Sequence, residues 1–222
     1  MSPRISAGSE NETYKSILSV SERLFADKGF DATGIDEIAR EVGITKSVIY
    51  YHFKNKSEIR KVLINRFIQE TMGLKKMSAE HQVRESNIDA NHFIPIMIQF
   101  LKKRERIIRI MMAQTMTAES ANPLFNFWDK NVDIAKDYRQ KLFDESRDTH
   151  TKDNFLEVYF FTLIPIFSYF AFADSWCRHY DMERKDTDGI FSDGLLAFYN
   201  EYLTPRYFPS GWGKSETTDD SD

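Results

Sequence analysis

Only one cysteine, Cys177, occurs in the 222 residues, so no internal disulfide can form and no zinc-type ligand spacing exists. A reducing cytoplasm is the compartment this usage predicts. Glycine and proline are sparse, at nine and six residues, and alternating Val/Thr-rich runs bounded by turn residues are missing, so strands are not signalled. The glycines never cluster into a phosphate-cradling loop, which leaves nucleotide hydrolysis without support. His81, His92, His150 and His179 lack paired helical spacing with carboxylates or cysteine, and no nucleophile stands beside a base. No metal, cofactor or catalytic residue is therefore expected, and the chain is not read as an enzyme. The stretch from Met1 to Glu12 lacks the positive patch and apolar run of a secretory signal, so export is not expected.

What is abundant is aromatic: 18 Phe and 10 Tyr within an ordinary 41% hydrophobic composition predict an aromatic interior. The net charge of −4 is matched in number by the acidic residues of the tail, Glu216, Asp219, Asp220 and Asp222, so the body is about neutral. Charge is local instead. Between Ile38 and Lys61 stand Arg40, Lys46, Lys54, Lys56, Arg60 and Lys61 against Glu41 and Glu58, a net +4 and a small footprint for a polyanion. One uncharged run, Val158 to Ala173, is short of the ~20 residues of a membrane span. It is closed by Glu157 and Asp174 and interrupted by Pro165, and reads as a doubly buried helix, with no membrane expected.

Helical periods run along the chain. Ile17, Leu18, Leu24 and Phe25 share a face, and Gly29 followed by Phe30 reads as a helix stop with its hydrophobic contact, giving a first helix from about Glu12 to Lys28. Thr33 is placed to cap a short second helix, in which Ile35, Ile38, Ala39 and Val42 keep the i, i+3, i+4, i+7 spacing until Gly43. Thr45 is placed to cap a third helix that points Ile49 and Phe53 inward. Asn55 to Glu58 resembles a capping box opening a long fourth helix. Further helices are predicted over Ile88 to Lys103, Glu105 to Thr117, Pro123 to Ser146, Lys152 to Tyr180 and Thr187 to Leu203. The chain thus reads as all-α with about nine helices, and residues 209–222 as a disordered acidic tail.

The informative stretch is Thr33 to Lys56, TGIDEIAREVGITKSVIYYHFKNK. A short amphipathic helix, a glycine turn and a second short helix build a helix-turn-helix. With Ile49 and Phe53 in the core, Ser47, Tyr50 and Tyr51 lie on the exposed side, flanked by Lys46 and Val48. Exposed phenols waste burial unless the hydroxyl meets phosphate or a base edge. Lys46 stands at the N-terminal end of the second helix, where a major-groove reader places base contacts, and can donate to guanine O6 or N7. Val48 can meet a thymine methyl. Thr33 and Thr45 start helices whose amides favour phosphate, and Lys56 opens the fourth helix.

The segment SVSERLFADKGFDATGIDEIAREVGITKSVIYYHFKNKSEI, and most specifically the run Gly43, Tyr50, Tyr51, His52, Phe53, Lys54, Asn55, Lys56, Glu58, Ile59, resembles the N-terminal domain of the TetR family of one-component regulators. That resemblance implies DNA contact by Thr33, Thr45, Lys46, Ser47, Tyr50, Tyr51, His52 and Lys56. His52 fits equally a cap at the helix C-terminus. It also implies a helix-turn-helix domain over 12–58 and a larger helical domain over 59–208 that senses a ligand and dimerises. The implied partners are a near-palindromic double-stranded operator, a second copy of the chain and a small effector that releases a repressor. A regulator of this fold that activates, or answers to a protein partner, remains open, as does, more distantly, a membrane-associated sensor.

In the larger part, Leu156, Phe160, Leu163, Phe167 and Phe170 form one stripe of the apolar helix and Phe161, Pro165, Ser168 and Phe172 another. With the small Gly194 and Ala197 of the last helix, the second stripe is the expected dimer contact. Met97, Phe100, Met111, Met112, Met116, Phe125, Phe127 and Trp128 are candidates to line an effector cavity, since thioethers and rings accommodate varied apolar ligands. Each of them also fits plain core packing, and no charged anchor stands out.

Overall fold

A computed structural model describes residues 7–85, 90–117, 122–131, 156–203 and 205. Among the described residues there are nine helices and no strand: α1 Ala7–Lys28, α2 Ile35–Val42, α3 Lys46–His52, α4 Lys56–Glu85, α5 Ala90–Lys102, α6 Glu105–Thr117, α7 over 123–131, α8 Leu156–Tyr180 and α9, which runs from Arg184 to Leu203. The all-α class is as the periodicity predicts. The first helix begins at Ala7 instead of Glu12, and the last at Arg184 instead of Thr187. The expected course of the seventh helix to Ser146, the start of the eighth at Lys152 and the tail 209–222 lie outside the described residues. Two compact units form, one from Met1–Thr71 with Arg104–Phe127 and one from Met72–Lys103 with Trp128–Asp222.

In the first unit α1 packs on α2 and α6, and α2 on α3. Ile17, Leu18, Leu24, Phe25, Ile38, Ala39, Ile49, Phe53, Ile59 and Leu63 are buried, each large side chain among them contributing about 1.5–3 kcal/mol by leaving water. The end of α1 is the anticipated stop: Gly29 takes φ 90°, and the rings of Phe25 and Phe30 meet at 5.1 Å, the contact that accompanies a left-handed helix end. Gly43 repeats this device at the end of α2, with φ 79°. Its N–H donates to the Ala39 carbonyl at 3.0 Å and that of Ile44 to the same carbonyl at 2.9 Å. Ion pairs from Arg23 to Glu41 and from Lys28 to Glu37 tie α1 to α2.

Thr33 does not cap α2. The N-cap is Gly34, which has no side-chain bond to the helix. The buried Thr33 hydroxyl turns back and donates to the carbonyls of Gly29 at 2.8 Å and Leu24 at 3.3 Å, tying the turn to the end of α1. Thr45 does hold the N-cap position of α3, but without a side-chain cap bond. Its hydroxyl pairs with that of Ser47 at 2.8 Å. At the start of α4, Asn55 Oδ1 accepts from the Glu58 N–H at 2.9 Å, and the Glu58 carboxylate accepts from the Lys54 N–H at 2.5 Å, so the expected capping box closes one residue further back.

Lys56 is engaged inward. Its Nζ donates to the carbonyls of Phe30 at 2.6 Å and Thr33 at 2.8 Å, with Asp31 at 3.4 Å, and stands 4.4 Å from the Phe30 ring centre. The Arg60 guanidinium lies over the same ring at 3.6 Å. One lysine thus pins the turn between α1 and α2 to the first turn of α4.

The second unit packs α9 on α5 and α8. Asp188 of α9 accepts from Tyr169 Oη at 2.5 Å, Lys102 Nζ at 2.5 Å and Arg184 Nε at 2.8 Å, and Arg184 also pairs with Asp174 at 2.5 Å. Burial alone would raise the Asp188 carboxyl, but these hydrogen bonds outweigh it and hold its pKa below the usual value. Burial, together with the Asp188 carboxylate, drives the Tyr169 phenol well above its ordinary range. The helix α8 opens with a π turn, Tyr159–Leu163, closed by the Ile164 N–H on the Tyr159 carbonyl. The widened turn sits directly before Pro165, whose ring would clash with a regular turn and whose missing N–H frees a carbonyl.

The apolar helix differs from its expected pattern. Its buried side is Tyr159, Leu163, Ile166, Phe167, Phe170, Ala173 and Cys177, while Leu156 and Phe160, placed by the periodicity in the inner stripe, are exposed. The π turn shifts the phase of everything before it. Leu156–Tyr180 is also longer than the run read from the sequence, and by length and composition alone it could cross a membrane.

Two substitutions test these devices. An added Cβ at Gly43 meets nothing within 4 Å, so Gly43→Ala isolates backbone strain and should cost about 1 kcal/mol or slightly more in urea denaturation. Lys56→Met, which keeps the stem and removes the charged donor, should cost about 1.5–3 kcal/mol. Lys54→Met, on an exposed neighbour, should leave the same transition within about 0.5 kcal/mol.

Candidate nucleic-acid interface

The outer face of α3 follows from its inner one. Ile49 is fully buried and Phe53 nearly so, and Phe53 stacks on Tyr14 of α1 with ring centres 5.0 Å apart. With these two side chains inward, Lys46, Ser47, Tyr50 and Tyr51 face outward. Tyr50 is 53% and Tyr51 73% exposed. Val48 is half-buried beside them, and Thr45 is exposed at the head of the helix. His52, also half-buried, meets the rings of Tyr14 at 5.8 Å and Tyr51 at 5.0 Å, both edge-on. It is the last residue of α3, and the C-cap is Phe53, whose N–H donates to the Ile49 carbonyl at 2.9 Å.

Of the nine residues expected at the interface, the fold therefore brings Thr45, Lys46, Ser47, Val48, Tyr50 and Tyr51 onto one small surface. Thr33 is buried, and Lys56 is bonded to loop carbonyls. Sequence reading missed Tyr14, the aromatic support of Phe53 and His52, and Asp36, whose carboxylate lies 2.6 Å from Lys46 Nζ. Ten residues separate that pair in sequence, and no local period marks it.

The electrostatics of α2 are divided. Glu37 and Glu41 face the cations of α1, and the hydrogen bond from Lys28 holds Glu37 below the usual carboxylate range. Asp36 alone of the three is paired with α3. Behind the interface, burial lowers the pKa of Arg60, with Asp31 acting in the opposite sense. Among the described residues no group of three or more His, Cys, Asp or Glu side chains is placed to hold a metal ion.

The other expected sites fall as follows. Met97, Phe100 and Trp128 belong to the second unit and Met111, Met112, Met116, Phe125 and Phe127 to the first. Met111, Phe127 and Trp128 are buried; Met116 and Phe125 are exposed, which corrects their assignment to an enclosed lining. Phe127 stacks on Phe67 at 5.6 Å and Trp128 meets Tyr159 edge-on at 5.6 Å, both contacts of core packing. A groove of about 450 Å³ opens elsewhere, between α8 and α9, walled by Ser168, Tyr169, Phe172, Trp176, Ile190 and Phe191 among others. The expected dimer residues Phe161, Pro165, Phe172, Gly194 and Ala197 are exposed, and Ser168 is half-buried.

Residues 17–63 match the family model for the N-terminal domain of bacterial regulatory proteins of the tetR family. The chain is similar, at 26% identity over 188 residues, to the biofilm operon icaADBC HTH-type negative transcriptional regulator IcaR of Staphylococcus aureus (strain Newman), covering 81% of this chain and 93% of that protein. A TetR-family transcriptional regulator from Bordetella parapertussis 12822 shares the fold with a TM-score of 0.54 at 14% identity, over 86% of this chain and 96% of its own. A putative transcriptional regulator from Saccharomonospora viridis in complex with choline does so with a TM-score of 0.50 at 17% identity, over 86% of this chain and 97% of its own. Residues 17–63, which include α2 and α3 with the outward face of α3, are thus similar to the DNA-binding domain of the tetR family, and the chain as a whole is similar to a transcriptional regulator of the helix-turn-helix type.

Proposed function

We propose that the protein is a cytoplasmic repressor that binds a pseudo-palindromic operator as a homodimer and is released by a small, mostly apolar effector. The observation that carries the DNA-reading role is the outward set Lys46, Ser47, Tyr50 and Tyr51 on a helix whose opposite side is locked into the core. In this reading residues 12–58 dock on DNA, α3 enters the major groove, and Lys46 and Val48 meet base edges. Tyr50, Tyr51, Thr45 and Ser47 position the helix on the backbone, with His52 at its edge. Thr33 and Lys56 act from inside, by fixing the turns that present α3, and touch phosphate through neighbouring backbone amides at most. Repression as the sign of control is supported by the relative from Staphylococcus aureus, by name a negative regulator.

Residues 59–208 carry dimerisation and effector response in this proposal. Phe161, Pro165, Phe172, Gly194 and Ala197 present an apolar and small-residue surface on α8 and α9, suited to two helices from each copy. That the fold can hold a small molecule is supported by the choline complex of a structural neighbour. An effector acts only through unequal affinity for the DNA-competent and DNA-incompetent states.

Selection of duplexes from a random library by the purified chain should enrich a near-palindrome with half-sites about one helical turn, ~34 Å, apart. Lys46→Ala and Tyr50→Ala should abolish the enrichment without altering the circular dichroism spectrum. No enriched site at low salt, where phosphate contacts are strongest, would end the DNA-reading interpretation. Separately, Phe172→Glu should convert a dimer to a monomer in sedimentation while the helical content persists. A wild-type chain that sediments as a monomer at micromolar concentration removes the dimer.

A further inference from the structure

The proposed reading helix carries a cation that is already paired. Lys46 Nζ and Asp36 Oδ1 are 2.6 Å apart, with side chains 53% and 70% exposed. A pair so open to water adds little to stability, and an acid in the first turn of α2 would complement the helix dipole whether or not it met Lys46. The other first-turn acid, Glu37, is held by Lys28, and Glu41 is held by Arg23. Those two bonds fasten α2 to α1. Asp36 instead sets a carboxylate beside the ammonium on the surface offered to DNA, where a lone carboxylate would be repelled by phosphate.

We propose that Asp36 is a specificity-determining residue that reads one base pair together with Lys46. A G·C pair presents in the major groove the guanine O6 and N7 acceptors next to the cytosine N4 amino donor. A donor and an acceptor held at hydrogen-bond spacing match that edge: Lys46 gives protons to O6 and N7, and Asp36 accepts one from N4. With the pair reversed, the carboxylate faces the guanine acceptors and the ammonium faces the amino group, so both contacts become repulsive. An A·T pair with adenine toward Lys46 fails for the same reason at its N6. Asp36 also restrains the lysine from settling on any nearby phosphate, which lowers affinity for DNA of random sequence. This inference rests on the DNA-reading role proposed above and names one position within it.

The test is selection from a random duplex library by the full chain, run in parallel with wild type, Asp36→Asn, Asp36→Glu, Lys46→Ala and the Asp36→Asn/Lys46→Ala double variant. Binding isotherms over a salt series complete it. Wild type should require G·C in one orientation at one position of each half-site. Asp36→Asn should keep the rest of the site and lose about ten-fold of the preference there. It should also bind random DNA several-fold more tightly, with a salt slope steeper by about one. Asp36→Glu should restore the base preference, and in binding isotherms on the wild-type site the double variant should bind no more weakly than Lys46→Ala does. If Asp36→Asn retains every base preference of the wild type, the proposal is overturned, even where its overall affinity rises. If the wild type itself selects nothing, the DNA-reading role falls first and this position with it.

Discussion

A helix of seven residues has too few hydrogen bonds to persist alone in water, so α3 exists only as long as Ile49 and Phe53 stay in the core. Every property of its outward face descends from that anchorage. The direction of Lys46 and Tyr50 is set by which residues of α3 point inward, and the chain leaves α2 toward α3 through the left-handed turn at Gly43, where the N–H groups of Gly43 and Ile44 close on the last carbonyls of α2. Tyr14 closes the back of the site by stacking on Phe53. Two buried side chains and one glycine conformation therefore hold a surface that has almost no stability of its own.

Charged residues do a second share of this work, and not where sequence alone would put them. The positive footprint between Ile38 and Lys61 looks like a set of phosphate contacts, but part of it is turned into the protein. Lys56 is bonded to carbonyls of the turn after α1, and Arg60 lies on the Phe30 ring. Desolvating a cation is tolerated here because carbonyl oxygens and an aromatic face replace water. The cations left outward are Arg40, Lys46, Lys54 and Lys61, of which Lys46 is paired with Asp36.

What the sequence made legible was local. The periods of α1 and α2, the stop at Gly29 with Phe30, the turn at Gly43 and the opening of α4 at Asn55 are written in contiguous residues and recur in the structure with small shifts. The bonds that cross the chain were not legible. Thr33 serves the end of the preceding helix because the folded turn sets its hydroxyl against the carbonyls of Gly29 and Leu24. Asp36 and Lys46 meet because two helices cross at a fixed angle, and Asp188 gathers Lys102, Tyr169 and Arg184 from three helices. In the last cluster only Arg184 and Asp188 stand at the i, i+4 spacing that a sequence can advertise. The stripe of α8 was misassigned at Leu156 and Phe160 because a π turn is a departure from the period on which the assignment depends.

The exposed side of α8 connects stability to the reading of DNA. Phe161, Phe172 and Trp176 are each more than half exposed, and covering the remainder of such rings is worth about 1 kcal/mol apiece. A single chain leaves that free energy unused. A single reading helix is equally incomplete, since three or four side chains address only a few base pairs, and a genome offers a vast excess of such short sequences. In the proposed dimer one event answers both deficits. Burying the apolar faces of α8 and α9 against their copies would bring two copies of α3 to one stretch of DNA. The spacing of the half-sites then becomes part of what is recognised. In that proposal, an effector that weakened the pairing of those faces would lower affinity for a two-half-site operator without touching any residue of α3.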